Sequence, residues 1–179
     1  PIKAGLGGGS MNAASILNYF VKKKLIKASK KELIKILKII GSDVVLGLNF
    51  NNCIINTNNK IKYFTNCKKF YVLIVKPNFG CSTKEIYSKV RKFEKPKLNY
   101  PNKKMFNFEY LKKMNNSLEP IAFSKHSKLK VIKSFLENLS NSGFVRMTGS
   151  GSALVAYFKS KERCEKVKRQ FVKKYKNYW

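Results

Sequence analysis

Apolar residues recur at helical spacing near the start of the chain. Ile16, Leu17, Phe20 and Val21 predict a first helix over residues 10–24. Ser29-Lys-Lys-Glu32 has the form of a capping box, and Leu33, Ile36, Leu37 and Ile40 then draw an apolar stripe on a second helix that stops at Gly41. Short apolar strings at Cys53-Ile-Ile, Ile61 and Tyr63-Phe64, parted by Asn56-Thr-Asn-Asn59, read as a hairpin within residues 49–66. Residues 70–75 are a continuous β-rich apolar run and predict a buried strand. A second capping box, Ser82-Thr-Lys-Glu85, opens a helix expected to reach about Phe93. A loop over 94–104 holds Pro96 and Pro101, followed by short helices over 106–114 and 118–123 and a longer one over 129–139. Strands over 144–147 and 153–158 flank a turn over 148–152, and Ser160 caps a last helix over 161–174.

This order describes an α+β chain with a polar gap at residues 66–69. Two domains are therefore expected, 1–66 and 67–179. From Phe70 onward the order is strand, helical region, strand, strand, helix. A split β-α-β unit of ferredoxin-like topology has one more strand after that helix, and the sequence stops at Tyr178-Trp179. The sequence also opens inside a glycine-rich loop without a Met, so a fragment of a longer protein is expected.

The formal charge of +29 raises nucleic-acid binding. The lysines, however, are spread along the whole chain among many Asn, Ile, Phe and Tyr, residues that share A/T-rich codons. Lysine far outnumbers arginine, and no arginine-rich arm or aromatic RNA-binding motif occurs. No specific nucleic-acid partner is expected, and the positive field is left to draw in an anionic substrate. No run of about 18 apolar residues exists, so no membrane span is predicted. Cys53, Cys67, Cys81 and Cys164 form no CxxC pair and His126 is the only histidine, which argues against a zinc site. Four free thiols in the cytoplasm is the default expectation.

Two features carry candidate chemistry. The first is the loop Pro1, Ile2, Lys3, Ala4, Gly5, Leu6, Gly7, Gly8, Gly9, Ser10 and Met11, which runs into the first helix. Glycines present backbone N–H groups without Cβ hindrance, and a helix N-terminus adds partial positive charge, so the stretch suits the phosphates of a nucleotide. The second is Asp43, the only aspartate, set between a helix end and Val44-Val45-Leu46. It is expected to be partly buried, either capping the following turn or holding a cation or a substrate hydroxyl.

These stretches resemble small-molecule kinases of the GHMP family. Residues 1–10 resemble the family's phosphate-binding motif, in the triple-glycine form followed by Asn-Ala-Ala. Gly41-Ser-Asp-Val44 resembles its catalytic aspartate segment. Pro77, Ser82-Thr83 and Tyr87 resemble the segment after the first strand of its second domain. Asn116-Ser-Leu-Glu119 resembles an Asn-Asp-Leu-Glu element. Val145-Arg-Met-Thr-Gly-Ser-Gly-Ser-Ala153 resembles its third motif. The resemblance implies the two-domain GHMP fold: the remainder of a ribosomal-protein-S5-domain-2-like N-terminal domain, then a ferredoxin-like C-terminal domain. It implies ATP and Mg²⁺ as cofactors, and phosphoryl transfer to the 2-hydroxyl of 4-diphosphocytidyl-2-C-methyl-D-erythritol in isoprenoid synthesis. It also implies a monomer or weak homodimer.

The roles follow from the same resemblance. The loop 1–11 holds ATP, with Ser10 a possible Mg²⁺ contact. Asp43 is the base or orients the acceptor hydroxyl. Tyr87 stacks on cytosine with Thr83 nearby, and Gly149, Ser150 and Gly151 let the chain pass close to substrate and phosphates. Met11 and Val45 depart from the family pattern, where a second serine and a proline stand. The family's first motif, with a lysine partnering the aspartate, would lie before Pro1, so these residues alone are expected to be inactive. Rival expectations are a homoserine- or mevalonate-type GHMP kinase, a basic RNA-binding α+β module, and a decayed homologue without activity.

Overall fold

The computed structural model describes all residues except Pro1, Phe50, Asn59, Phe93, Glu94, Pro96, Asn141 and Ser142, and the side chain of Lys30. It divides into a smaller compact unit, Gly7–Thr65, and a larger one made of the residues up to Leu6 together with Asn66–Trp179.

In the smaller unit, α1 spans Gly8–Lys22 and opens two residues earlier than Ser10, where the sequence placed its start. Gly7 supplies the left-handed cap (φ 68°) that turns the loop into the helix. The helix ends on Lys24 at φ 58°, with Leu25 N–H bonded to the Phe20 carbonyl and Lys24 N–H to that of Val21. These are the two bonds of a Schellman ending, made here without glycine. The predicted capping box opens α2 (Lys30–Ile40): Ser29 N–H donates to Glu32 Oε2 at 2.7 Å, and Glu32 N–H to Ser29 Oγ at 3.3 Å. The expected stripe on α2 is shifted. Leu37 is buried and Leu33 and Ile34 pack beside it, while Ile36 and Ile40 are exposed.

Val44–Leu48 form a 3₁₀ turn, and Val44 and Val45 join Ala14, Leu17 and Leu37 in this unit's core. Strands β1 (Asn52–Ile55) and β2 (Ile61–Phe64) pair antiparallel, Cys53 opposite Tyr63. Asn56 Oδ1 closes the hairpin by accepting the N–H groups of Asn58 and Lys60. Asn59, part of the expected turn, lies outside the described residues.

The larger unit is built on strands β3 (Tyr71–Val75), β4 (Phe144–Met147) and β5 (Leu154–Phe158). The sheet order is β3-β5-β4, antiparallel throughout, with Val75 opposite Leu154 and Met147 opposite Leu154 on the other side. This is the ordering of a split β-α-β unit. Helices α6 (Ser127–Leu139) and α7 (Lys161–Lys174) cover one face. Leu129, Ile132, Leu136, Cys164, Val167 and Phe171 interlock there with Val75, Val145, Met147, Leu154, Ala156 and Phe158. The sheet residues alternate along each strand, as a covered face requires.

β3 is not the buried strand its composition suggests, because it lies at the sheet's edge and leaves Tyr71 45% exposed. Just past β3, Lys76 and Trp179 exchange backbone hydrogen bonds of 2.7 and 3.1 Å.

Helix α3 (Thr83–Ser88) is shorter than expected; Phe93, its predicted end, and Glu94 and Pro96 of the predicted loop lie outside the described residues. Ser82 Oγ accepts from Glu85 N–H, but the Glu85 carboxylate pairs with Lys125. A 3₁₀ turn at Lys103–Phe106 and α4 (Phe108–Lys113) occupy the first predicted short-helix region, and α5 (Glu119–Lys125) the second. All four cysteines are free thiols.

Candidate functional site

The glycine-rich loop falls in both units. In the larger unit, residues 3–6 are held against the 148–153 turn. Ala153 N–H donates to the Ala4 carbonyl at 3.0 Å and Ser152 N–H to that of Lys3 at 3.3 Å. Thr148 Oγ1 donates to the Gly5 carbonyl at 2.9 Å. Cys81 N–H also reaches the Lys3 carbonyl, at 3.2 Å. Gly5 has φ 69°, and a Cβ there would sit 2.2 Å from the Thr148 carbonyl oxygen. Gly151, at φ 84°, would place a Cβ 2.7 Å from Met147 Sδ. Both positions therefore need glycine for their backbone sign and for the closeness of the two strands of chain. Pro1 lies outside the described residues.

The other loop residues belong to the smaller unit. α1 carries no side-chain cap and no acidic residue in its first turn. A Cβ on Gly7, Gly8 or Gly9 would meet nothing within 4 Å. First-turn N–H groups have no acceptor within their helix, so this end is open, partly positive and fit for phosphate oxygens. Ser10 is half-buried one residue on. Met11 packs toward Gly47, whose Cβ would lie 3.4 Å from the methionine sulfur.

Asp43 belongs to the same unit and is exposed, not partly buried as expected. The apolar run after it turns inward as a 3₁₀ turn, and its side chain stays in solvent. It stands at the cap position of that turn yet makes no capping bond; its carboxylate takes a long 3.5 Å hydrogen bond from Ser42 Oγ. The capping alternative is thus not realised.

Tyr87, on α3, is 57% exposed. It stands on the rim of a cavity of about 470 Å³ whose lining includes Asn116, Arg146, Thr148, Gly149 and Tyr157. Burial lowers the Arg146 pKa and raises that of Tyr157. The Arg146 guanidinium lies over the Phe144 ring and donates to the Leu111 and Met114 carbonyls, which fixes the end of α4 against β4. Thr83 Oγ1 and Ser150 Oγ are 2.9 Å apart, and Ser150 is buried. The structure therefore brings Thr83, Ser150, Gly149, Gly151 and residues 3–6 together, with Tyr87 beside them.

Two side chains that sequence reasoning left without a role hold this turn from its far side. Asn116 Nδ2 donates to the Met147 and Gly149 carbonyls, each at 2.8 Å. Glu119 Oε1 accepts the Met147 N–H at 2.6 Å, and its Oε2 pairs with Lys133 at 2.8 Å. The signal that could have found them was an Asn with a Glu three residues on at a helix start, a pattern that marks polar side chains committed to backbone.

Among the described residues, no group of three or more His, Cys, Asp or Glu side chains is placed to hold a metal ion. A Mg²⁺ ion there would rely on phosphate and water oxygens, as Mg²⁺ commonly does. Among the described residues, no helix is long and apolar enough to cross a membrane.

Residues 92–177 match the family model described as GHMP kinases C terminal. The chain is 54% identical over its full 179 residues to a 4-diphosphocytidyl-2-C-methyl-D-erythritol kinase of Pelagibacter ubique (strain HTCC1062), covering 64% of that protein. It is 34% identical to the kinase of the same name from Clostridium tetani (strain Massachusetts / E88), over 98% of the chain and 65% of the relative. It thus spans just under two thirds of the length of these curated relatives. A crystal structure of 4-(cytidine 5'-diphospho)-2C-methyl-D-erythritol kinase superposes with a TM-score of 0.76 at 23% identity, over 96% of the chain and 63% of the other. That likeness shows the α+β fold. The ordered motifs and the sheet order agree with this match, and residues 92–177 are similar to the C-terminal region of GHMP kinases.

Proposed function

We propose that the protein carrying these residues is an ATP-dependent kinase that phosphorylates the 2-hydroxyl of 4-diphosphocytidyl-2-C-methyl-D-erythritol. The observation that carries this reading is the 54% identity, running over the entire chain, to a relative of that name. The uncapped glycine start of α1 supports a role for residues 7–11 in holding ATP phosphates, with residues 1–6 completing the loop. ATP supplies the transferred phosphoryl group. The chain's part is to position and to stabilise charge, which is most of what phosphoryl transfer asks of a protein. Mg²⁺ would meet Ser10 and phosphate oxygens.

Asp43 is the proposed base or orienting group for the acceptor hydroxyl. Its exposure and its freedom from capping suit a carboxylate that must reach a substrate. Tyr87 offers an exposed ring for cytosine, and Thr83 holds Ser150 in the turn Gly149-Ser150-Gly151, where backbone can approach the substrate closely.

The test is a panel of 4-diphosphocytidyl-2-C-methyl-D-erythritol, homoserine and mevalonate with ATP and Mg²⁺, using the whole protein. The expected result is turnover of the diphosphocytidyl alcohol with kcat/KM at least about a hundredfold above the other two. Preference for homoserine or mevalonate overturns the substrate and leaves the family standing. No turnover of any of the three favours the decayed homologue.

A further inference from the structure

The Asn116–Glu119 pair sits beside the glycine turn and is absorbed by none of the roles above. In the antiparallel pairing of β4 with β5, Thr148 N–H bonds to the Ala153 carbonyl at 3.0 Å, while Met147 stands directly opposite Leu154. Hydrogen-bonded and non-bonded pairs alternate along such a ladder, so Met147 points its N–H and its carbonyl away from β5. β4 is the edge of the sheet, and among the described residues no strand lies there to receive them. Asn116 and Glu119 take that place: Glu119 Oε1 accepts the N–H at 2.6 Å and Asn116 Nδ2 donates to the carbonyl at 2.8 Å.

Asn116 goes further. Its second N–H reaches the Gly149 carbonyl at 2.8 Å, inside the turn, and its Oδ1 accepts Leu118 N–H at 3.0 Å. Both amide hydrogens and the amide oxygen are committed, which fixes the plane of the group. The turn so held makes two further contacts, Thr148 to the Gly5 carbonyl and Ser150 to Thr83.

We propose that Asn116 is a positioning residue for phosphoryl transfer: with Glu119 it takes the place of a strand beside Met147, and through Gly149 it alone holds residues 148–151 in the conformation that grips Gly5 and Thr83. The proposal rests on the kinase reading, in which that turn lies against substrate. Asn116 acts through the turn, by its bonds to the Met147 and Gly149 carbonyls.

Three variants separate the parts. Asn116→Asp keeps the shape and the acceptor for Leu118 and removes both donors. Asn116→Ala removes the amide without setting a carboxylate against two carbonyls, and serves where N116D does not fold. Glu119→Gln keeps an oxygen for Met147 N–H and removes the charge facing Lys133. In the 179-residue chain, solvent exchange of the Thr148 and Gly151 amides is expected to rise at least about tenfold in N116D and N116A, and less than about twofold in E119Q.

In the whole protein, on whichever alcohol of the panel it phosphorylates, N116A should lower kcat by at least about tenfold and change KM for ATP by less than about threefold, with the unfolding midpoint above the assay temperature. E119Q should retain kcat within about twofold. Unchanged exchange at Thr148 and Gly151 in N116A overturns the clamp, whatever the substrate proves to be. A loss of kcat that merely tracks the unfolded fraction, or one equal in N116A and E119Q, overturns the positioning role. Failure of the unsubstituted protein on the diphosphocytidyl alcohol is a separate outcome and counts against the substrate reading alone.

Discussion

Asp43 and Gly5 show how different the demands on single residues are. Asp43 is exposed and spends nothing on capping, so its removal should cost chemistry and little else. Asp43→Asn in the whole protein is expected to lower kcat by about 10²–10⁴, the usual reach of a general base or hydroxyl-orienting carboxylate. Its unfolding midpoint should stay within a degree or two of the unsubstituted protein, as for other exposed sites. An unchanged rate sinks the assigned role.

Gly5 is the opposite case. Alanine there must adopt φ 69° and drive its Cβ to 2.2 Å from a backbone oxygen that cannot rotate away. Gly5→Ala should destabilise the larger unit by at least about 2 kcal/mol, whereas Gly8→Ala, in open space on α1, should stay within about 0.5 kcal/mol or gain slightly. Denaturant unfolding of both variants checks the contrast; equal midpoints would mean that the 3–6 segment does not pack as described. The glycine pattern reads in the sequence as a phosphate loop, and the packing of Gly5 is not legible there. That Gly5 packs on Thr148 depends on a contact across more than a hundred residues, which no local pattern encodes.

At the scale of elements, legibility followed local chemistry. α2 and α7 begin where Ser29 and Ser160 predict, because an N-cap is a contact within four residues. β4 matches its predicted span because Gly143 and the glycine turn punctuate it. α3 is shorter than its cap suggests, because a cap marks only a beginning. The chain leaves the helix at Lys89, where the sequence carries neither glycine nor proline to announce a stop. The exposure of β3 is not legible for another reason: its apolar run is the same whether it lies at an edge or in the middle, and the pairing that decides this is non-local.

The stripe on α6 is the clearest element-level expectation to quantify. Leu129, Ile132 and Leu136 recur every three to four residues and are wholly buried, while Val131 on the same helix is 60% exposed. Leu136→Ala should cost about 2–5 kcal/mol through lost burial and a residual cavity, and Val131→Ala under about 0.5 kcal/mol. Thermal unfolding separates the two by several degrees; similar losses would mean that α6 is not seated on the sheet by that face.

At the scale of the whole molecule, composition was the least informative guide and the order of motifs the most. A charge of +29 argues for nucleic acid as readily as for ATP, and nothing in a charge count distinguishes them. What distinguished them was the succession of loop, aspartate, aromatic and glycine turn, each weak alone. The charge still has a physical consequence that can be read. Both proposed substrates are polyanions, and a strongly positive protein raises their local concentration by long-range attraction. That attraction acts over about 30 Å at 0.01 M ionic strength and about 8 Å at 0.15 M. In the proposed site the bound phosphates would be held by short-range backbone contacts, which salt screens far less. Raising KCl across that interval at constant Mg²⁺ is therefore expected to raise KM for ATP by about threefold to tenfold while leaving kcat within about twofold. A KM that does not move would mean that the lysines contribute no steering and reflect composition alone. A fall in kcat parallel to the rise in KM would instead place the charge at the reacting phosphates, where salt should compete with the chemistry itself.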